Sequence, residues 1–307
     1  MIPIMLALVT GGAGFIGSHS VERLLADGAR VRVLDNFSAG RKHNLPEHPR
    51  LEVCAGDVRN DKDVRAAMQG VTHVLHLAAQ VSVQASINDP VNSCSTNILG
   101  FVTVLSAAHH HRITRVVYAS SAAVYGIPSR LPLAENDPTQ AISPYGLEKI
   151  VNERYAALFA DLYGLRCLGL RYFNVYGPRQ DPRSPYSGVI SKFLGCIRNQ
   201  QPVRVFGDGL QSRDFIHVAD VADVNLRALK SEACGVCNVG TGTRVSLLQL
   251  IDTLSACLGK PLAVVHDPPQ EGDIPHSQAS VEHLGRSLGL SKSTDLRSGL
   301  SELITTA

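Results

Sequence analysis

The chain has 307 residues, of which 44% are hydrophobic and 18% charged, a composition that excludes an intrinsically disordered protein. Its 29 basic and 27 acidic residues leave a formal charge of +2, which excludes a whole-chain electrostatic drive toward nucleic acid or a membrane surface. At roughly 150 residues per domain, one large domain or two smaller ones are expected.

The N-terminal apolar run stops at Thr10, lacks a cationic leader region and is too short to span a bilayer. With no other spanning run evident, a cytoplasmic location is expected. Short apolar runs predict strands over residues 6–10, 31–35, 51–55, 73–77, 115–119 and 166–170. Helical periodicity predicts helices over 15–27, 62–69, 90–111 and 144–162. Runs such as Val116-Val117-Tyr118-Ala119 are apolar on both faces, which fits a parallel sheet covered by helices on both sides. Beyond about residue 174 turn-rich stretches (178–187, 207–212 and 267–273) interrupt shorter elements. The expected fold is therefore α/β, a Rossmann-like doubly wound parallel sheet over 1–173. A smaller C-terminal α/β substrate lobe over 174–307 follows, with some segments returning to the first domain. The cleft between the two is the natural ligand site.

Seven dispersed cysteines read as reduced core thiols, not as a disulfide framework. Cys234 and Cys237 have redox or zinc spacing, but no second Cys or His pair accompanies them. His109-His110-His111 falls at a helix end, where cationic groups suit the dipole. No metal site is expected.

The first predicted strand runs into Thr10-Gly11-Gly12-Ala13-Gly14-Phe15-Ile16-Gly17, which opens the first helix. Glycines at this spacing permit a tight turn and close approach to a pyrophosphate, which the helix N-terminus then receives. The second strand ends at Asp35, whose carboxylate suits the adenosine ribose and repels a 2′-phosphate, favouring NAD. Asp57 and Val58 follow the third strand, and Leu77, Ala78 and Ala79 the fourth, at the ends where doubly wound sheets bind ligands. Asp57 either reaches the adenine or caps the next helix.

Tyr145 and Lys149 lie four apart on a predicted helix, hence on one face, and Ser120 and Ser121 end the fifth strand. A tyrosine with a pKa near 10 is a poor base at neutral pH. Lowering it by about three units requires roughly 4 kcal/mol. The Lys149 ammonium and a positive nicotinamide ring together provide a source for it.

These residues, with Asp35-Asn36, Gly56-Asp57-Val58, Ser143-Pro144-Tyr145-Gly146, Arg171-Tyr172-Phe173-Asn174, Arg213-Asp214-Phe215 and Asn238-Val239-Gly240, resemble the extended short-chain dehydrogenase/reductase superfamily, specifically its NAD-dependent UDP-sugar 4-epimerases. The resemblance runs nearly end to end. It implies Tyr145 as catalytic base and acid, Lys149 as its electrostatic partner and a nicotinamide-ribose ligand, and Ser121 as the hydroxyl partner. It implies NAD contacts from Gly11, Gly14, Phe15, Ile16, Gly17, Asp35, Asn36, Asp57, Val58, Leu77, Ala78, Ala79 and Tyr172. On the substrate side it implies Ser82 as a substrate contact, Asn174 and Arg213 on the diphosphate, Phe206 against the uracil ring, and Asp273 on the nucleotide ribose. Related 4,6-dehydratases and decarboxylases carry acids directly after the strand-end hydroxyl. Here Ala122 and Ala123 stand there, as in the 4-epimerases.

In the resemblance Ser277 stands at a position facing the hexose, where a tyrosine excludes a 2-acetamido group. This implies interconversion of UDP-GlcNAc and UDP-GalNAc, with UDP-Glc and UDP-Gal as further substrates. Two departures bear on affinity: Gln270 replaces a diphosphate-binding arginine, and Ala85 stands where relatives often carry one. A homodimer through two long helices is implied by analogy. A nucleotide-sugar 4-reductase or dehydrogenase, or a non-catalytic nucleotide-sugar sensor, are the alternatives.

Overall fold

The computed structural model describes residues 5–180, 188–269, 274–290 and 293–305. Its centre is an all-parallel sheet of β1 (Leu6–Thr10), β2 (Arg30–Asp35), β3 (Leu51–Ala55), β4 (His73–His76), β5 (Arg115–Ser121), β6 (Cys167–Tyr172) and a later strand, Gly235–Val239. From one edge the order is Gly235–Val239, β6, β5, β4, β1, β2, β3, so the direction of winding reverses between β1 and β4.

Alternation along the strands builds a core on each face. Val9 and Leu75 point to one side, where α1 (Phe15–Ala26) packs beside the helix Val218–Lys230. Leu8 and Val74 point to the other, against α2 (Asp61–Met68) and the helices that follow. These are α3 (Val83–Asn88), α4 (Pro90–Cys94), α5 (Gly100–His110) and α6 (Pro144–Tyr163). α6 starts on Pro144, is capped by the Ser143 hydroxyl, and stops at Gly164 with φ of 66°, a left-handed conformation that favours glycine.

The long helix expected over 90–111 is interrupted by a π-helical turn at Ser95–Leu99. By length and composition alone, Pro90–His110 is long and apolar enough to cross a bilayer. Its Phe101, Val104 and Leu105 are fully buried against the sheet, as in the core helix of a globular fold. The short α3 escaped prediction. β3 is an edge strand with no fully buried residue, so doubly covered strands stop short of that edge. Two cysteines depart from the core expectation, since Cys94 and Cys234 are exposed.

Beyond β6 a third apolar cluster, including Tyr176, Phe193, Val205, Leu250 and Leu300, forms the core of the C-terminal lobe. The strands Val203–Phe206 and Val264–Asp267 pair there in parallel. Ser212–Arg213 pairs with Val245–Ser246, and Ser212 also bridges to His276.

Candidate active site

The glycine turn lies at the C-terminal end of β1, next to the point where the winding reverses. A Cβ on Gly17 would sit 2.1 Å from the Gly11 carbonyl oxygen, and one on Gly11 would sit 2.7 Å from the Ala78 backbone nitrogen. Gly17 is therefore demanded by the turn's own packing, and Gly11 by the backbone that follows β4. Gly14 differs: its Cβ would meet only the Gly11 oxygen, at 3.2 Å. It is the N-cap of α1 with no side-chain cap, and no acidic residue occupies the first turn. The helix thus presents N–H donors and a positive dipole end with no acid in its own first turn, which fits a pyrophosphate.

Asp35 is buried at the end of β2. One oxygen accepts the Ala13 N–H at 2.9 Å and the other the Phe37 N–H at 2.8 Å. It therefore shapes the glycine turn, and each oxygen keeps a lone pair for a ribose hydroxyl. Asn36 donates to Asp57 at 2.9 Å. Asp57 does not cap α2, because Asn60 does. Instead Arg59 grips its two oxygens at 2.9 and 2.7 Å and holds its carboxyl well below the usual carboxylate range. Val58 is buried, and the Ala78 N–H lies 3.3 Å from the Thr10 hydroxyl. Thr10 also meets His76 Nδ1 at 2.8 Å. Burial, then the Lys149 charge, push His76 down to about 3, so it is neutral. Phe15 sits edge-on to His19, and Ile16 packs on the core of that face. Tyr172 lies within the sheet core with its hydroxyl donating to Asn225 at 2.7 Å, so that hydroxyl is engaged by the protein.

Tyr145 and Lys149 share one face of α6, as their spacing predicts, and Ser121 lies against Tyr145. Lys149 is almost fully buried; its Nζ donates to the Ala119 carbonyl at 2.9 Å and stands 5.6 Å from the centre of the Tyr145 ring. Burial pulls its ammonium down to about 8, against the opposing charges of Glu148 and Glu153. Burial raises the Tyr145 phenol, a hydrogen bond with Ser121 lowers it, and Glu148 raises it again. Ser121 Oγ also accepts the Ala123 N–H at 3.1 Å, which orients the hydroxyl at the start of the turn Ala122–Tyr125. Sequence reasoning missed Ser86. Its hydroxyl accepts the Tyr145 N–H at 3.1 Å and pins the start of α6 to α3. Only the tertiary contact reveals it.

Ser82 is buried and caps α3, accepting the Ala85 N–H at 2.9 Å. In the C-terminal lobe, Phe206 ends its strand 45% exposed, which leaves a ring face for stacking. The Asn174 backbone N–H donates to the Asp214 carbonyl at 3.0 Å. The Arg213 guanidinium is half-buried, with NH1 donating to the Ser212 carbonyl at 3.0 Å. The Ser277 N–H donates to the same carbonyl at 3.0 Å, which brings Ser277 beside Arg213. Asp273 and Gln270 lie outside the described residues. Among those described, no group of His, Cys, Asp and Glu is arranged to hold a metal ion.

Residues 7–240 match the NAD-dependent epimerase/dehydratase family. A UDP-glucose 4-epimerase of Mycolicibacterium smegmatis is 36% identical over 307 residues, covering 98% of this chain and 97% of that protein. Among solved structures, a UDP-N-acetylglucosamine 4-epimerase from Methanobrevibacter ruminantium, in complex with UDP-N-acetylmuramic acid, superposes with a TM-score of 0.94. It is 35% identical and covers 100% of both chains. A Thermus thermophilus UDP-glucose 4-epimerase in complex with NAD gives 0.90 at 36% identity, covering 98% of each chain.

Proposed function

The chain belongs to the NAD-dependent epimerase/dehydratase family and is an NAD-dependent UDP-sugar 4-epimerase; from that premise we propose how its residues act and which sugars it prefers. The observation that carries the chemistry is the convergence of Ser121, Tyr145 and Lys149 at the C-terminal end of β5, next to the glycine turn. NAD, when bound, supplies the hydride acceptor and returns the hydride. The turn from Gly11 to Gly17 and Asp35 hold it, with Asn36, Asp57, Val58, Tyr172 and the Leu77–Ala79 segment around it. Tyr145 takes the proton from the sugar 4-hydroxyl as C4 is oxidised, and gives it back after the 4-keto sugar has turned over. Ser121 shares the same oxygen through its hydroxyl, and the Lys149 charge stabilises the phenolate. With Ala122 and Ala123 following Ser121, no carboxylate is supplied there for chemistry at C5.

Asn174 and Arg213 anchor the diphosphate and Phe206 the uracil, so the nucleotide is held while the hexose rotates. Ser277, beside Arg213, leaves room for a 2-acetamido group, and we assign UDP-GlcNAc and UDP-GalNAc as the preferred pair. The Methanobrevibacter relative, with its acetylated sugar nucleotide, supports this preference. A homodimer fits the apolar stripe on α4, the π turn and α6. There Val91, Leu99, Leu147, Leu158 and Leu162 are 79, 53, 56, 48 and 62% exposed. Following C4 configuration by proton NMR with UDP-GlcNAc and with UDP-Glc, no cofactor added, tests the proposal. Faster inversion of the acetylated sugar is expected, and faster inversion of UDP-Glc overturns the preference.

A further inference from the structure

Glu148 has no part in the chemistry above, yet it is almost fully buried, with 4% of its surface exposed. Its Oε2 accepts hydrogen bonds from the Ser93 hydroxyl at 2.9 Å and from the Asn97 side-chain amide at 2.6 Å. Ser93 belongs to α4 and Asn97 to the π-helical turn. Such turns are inserted into helices frequently at functional sites. Here the turn brings Asn97 to three segments at once. Its side chain exchanges two hydrogen bonds of 2.8 Å with the Gln80 backbone, and its own carbonyl accepts from Asn152 of α6 at 3.0 Å. Glu148 is thus the carboxylate on which α4, the π turn and, through Asn97, the loop after β4 are tied to the helix that carries Tyr145 and Lys149.

A buried carboxylate is costly unless neighbouring groups compensate it. Ser93 and Asn97 supply hydrogen bonds, and Lys149, the next residue, supplies opposite charge. Tyr145 lies three residues before Glu148, on the same side of the helix. We propose that Glu148 is a positioning residue that holds the Tyr145–Lys149 pair in its working charge state and ties the loop after β4 to it. The proposal rests on the catalytic reading of that pair given above.

The electrostatics agree in sign. Burial disfavours the Lys149 ammonium, and Glu148 is the foremost group opposing that effect, ahead of Glu153 on the same helix. The same negative charge disfavours the Tyr145 phenolate, which keeps the phenol protonated in the resting enzyme. From β5 the pair meets Ser121 and the Ala119 carbonyl, and from β4 His76, which is neutral and adds no charge near pH 7. Glu148 thereby preserves the Lys149 cation beside the phenol at the pH where it is needed.

The test uses two variants and two readouts. Glu148→Gln removes the charge and keeps the shape. Lys149 then loses its proton more easily, and the alkaline limb of kcat moves down by about one pH unit while KM changes little. Glu148→Asp keeps the charge but withdraws it from Ser93 and Asn97, so the wild-type limb returns with a lower kcat. Independently of turnover, the near-ultraviolet phenolate absorbance, taken as the difference from a Tyr145→Phe background, reports Tyr145 ionisation. It shifts to lower pH in Glu148→Gln. Superimposable pH profiles in an active enzyme, or an unshifted Tyr145 titration whether or not the protein turns over, overturn the inference. An inactive wild-type protein with a shifted titration counts against the catalytic reading alone. Should Glu148→Gln not fold, a wild-type kcat in Glu148→Asp overturns the proposal.

Discussion

One methyl group, added at either of two positions in the glycine turn, separates folding from cofactor binding. At Gly17 the new Cβ would lie 2.1 Å from the Gly11 oxygen, 2.8 Å from the Gly12 Cα and 2.9 Å from the Gly11 carbonyl carbon. All three are backbone atoms, so the clash cannot be relieved by a side-chain rotation. Overpacking of this kind costs about 3 kcal/mol, while alanine's better helix propensity returns about 1 kcal/mol. The net loss of about 2 kcal/mol lowers Tm by roughly 3 °C in a chain of 307 residues. At Gly14 the Cβ meets a single atom at 3.2 Å, and the loss is under about 1 kcal/mol. That methyl stands at the N-cap of α1, where the first-turn N–H groups would receive the pyrophosphate. Gly14→Ala is therefore expected to melt near the wild type and to lose NAD, and Gly17→Ala to melt early. Circular dichroism on cofactor-stripped protein gives Tm. The 260/280 nm absorbance ratio of freshly purified protein gives NAD content with little background, since the chain has no tryptophan and 8 tyrosines. A Gly17→Ala protein that melts with the wild type, or a Gly14→Ala protein that retains full NAD, refutes this account of the turn.

Ser277→Tyr fills the space assigned to the acetamido group; it should cut kcat/KM for UDP-GlcNAc by at least about tenfold, the scale on which pocket shape discriminates, and spare UDP-Glc. Equal losses on both sugars would count against the assignment. Leu158→Glu puts a charge in the exposed apolar stripe of α6 and should convert a dimer to monomer in analytical ultracentrifugation; an unchanged sedimentation coefficient argues against that face. His76 is held near 3 when folded and has an ordinary value of 6.5, so only the unfolded chain takes its proton between those values. Stability is unaffected by it above pH 6.5 and falls below, by up to about 1.4 kcal/mol per pH unit. Denaturant titrations of His76→Asn at pH 7 and pH 5 should show a shallower loss than the wild type, and equal losses would refute the assignment.

What could be read from the sequence was local in origin. The Gly-rich turn and the Tyr145–Lys149 spacing each lie within one strand–turn–helix or one helix, so their geometry follows from periodicity alone. What could not be read depended on partners distant in the chain. Asp57 accepts from the Asn36 side chain, 21 residues away, a contact that neither strand's pattern reveals. The Tyr172 hydroxyl meets Asn225, 53 residues away. The strand Gly235–Val239 joins the central sheet beside β6, where the late helix Glu282–Leu288 and α6 cover its apolar residues. The π turn left no mark in the hydrophobic pattern, since its extra residue leaves the helix continuous.

The central claim is that C4 is inverted by removal and return of a hydride, with Tyr145 moving only the hydroxyl proton. Running the reaction in D2O tests it most directly. The account predicts epimerised UDP-sugar with hydrogen retained at C4, seen as a full-intensity C4 proton resonance. Deuterium at C4, or no epimer from either UDP-GlcNAc or UDP-Glc, contradicts it.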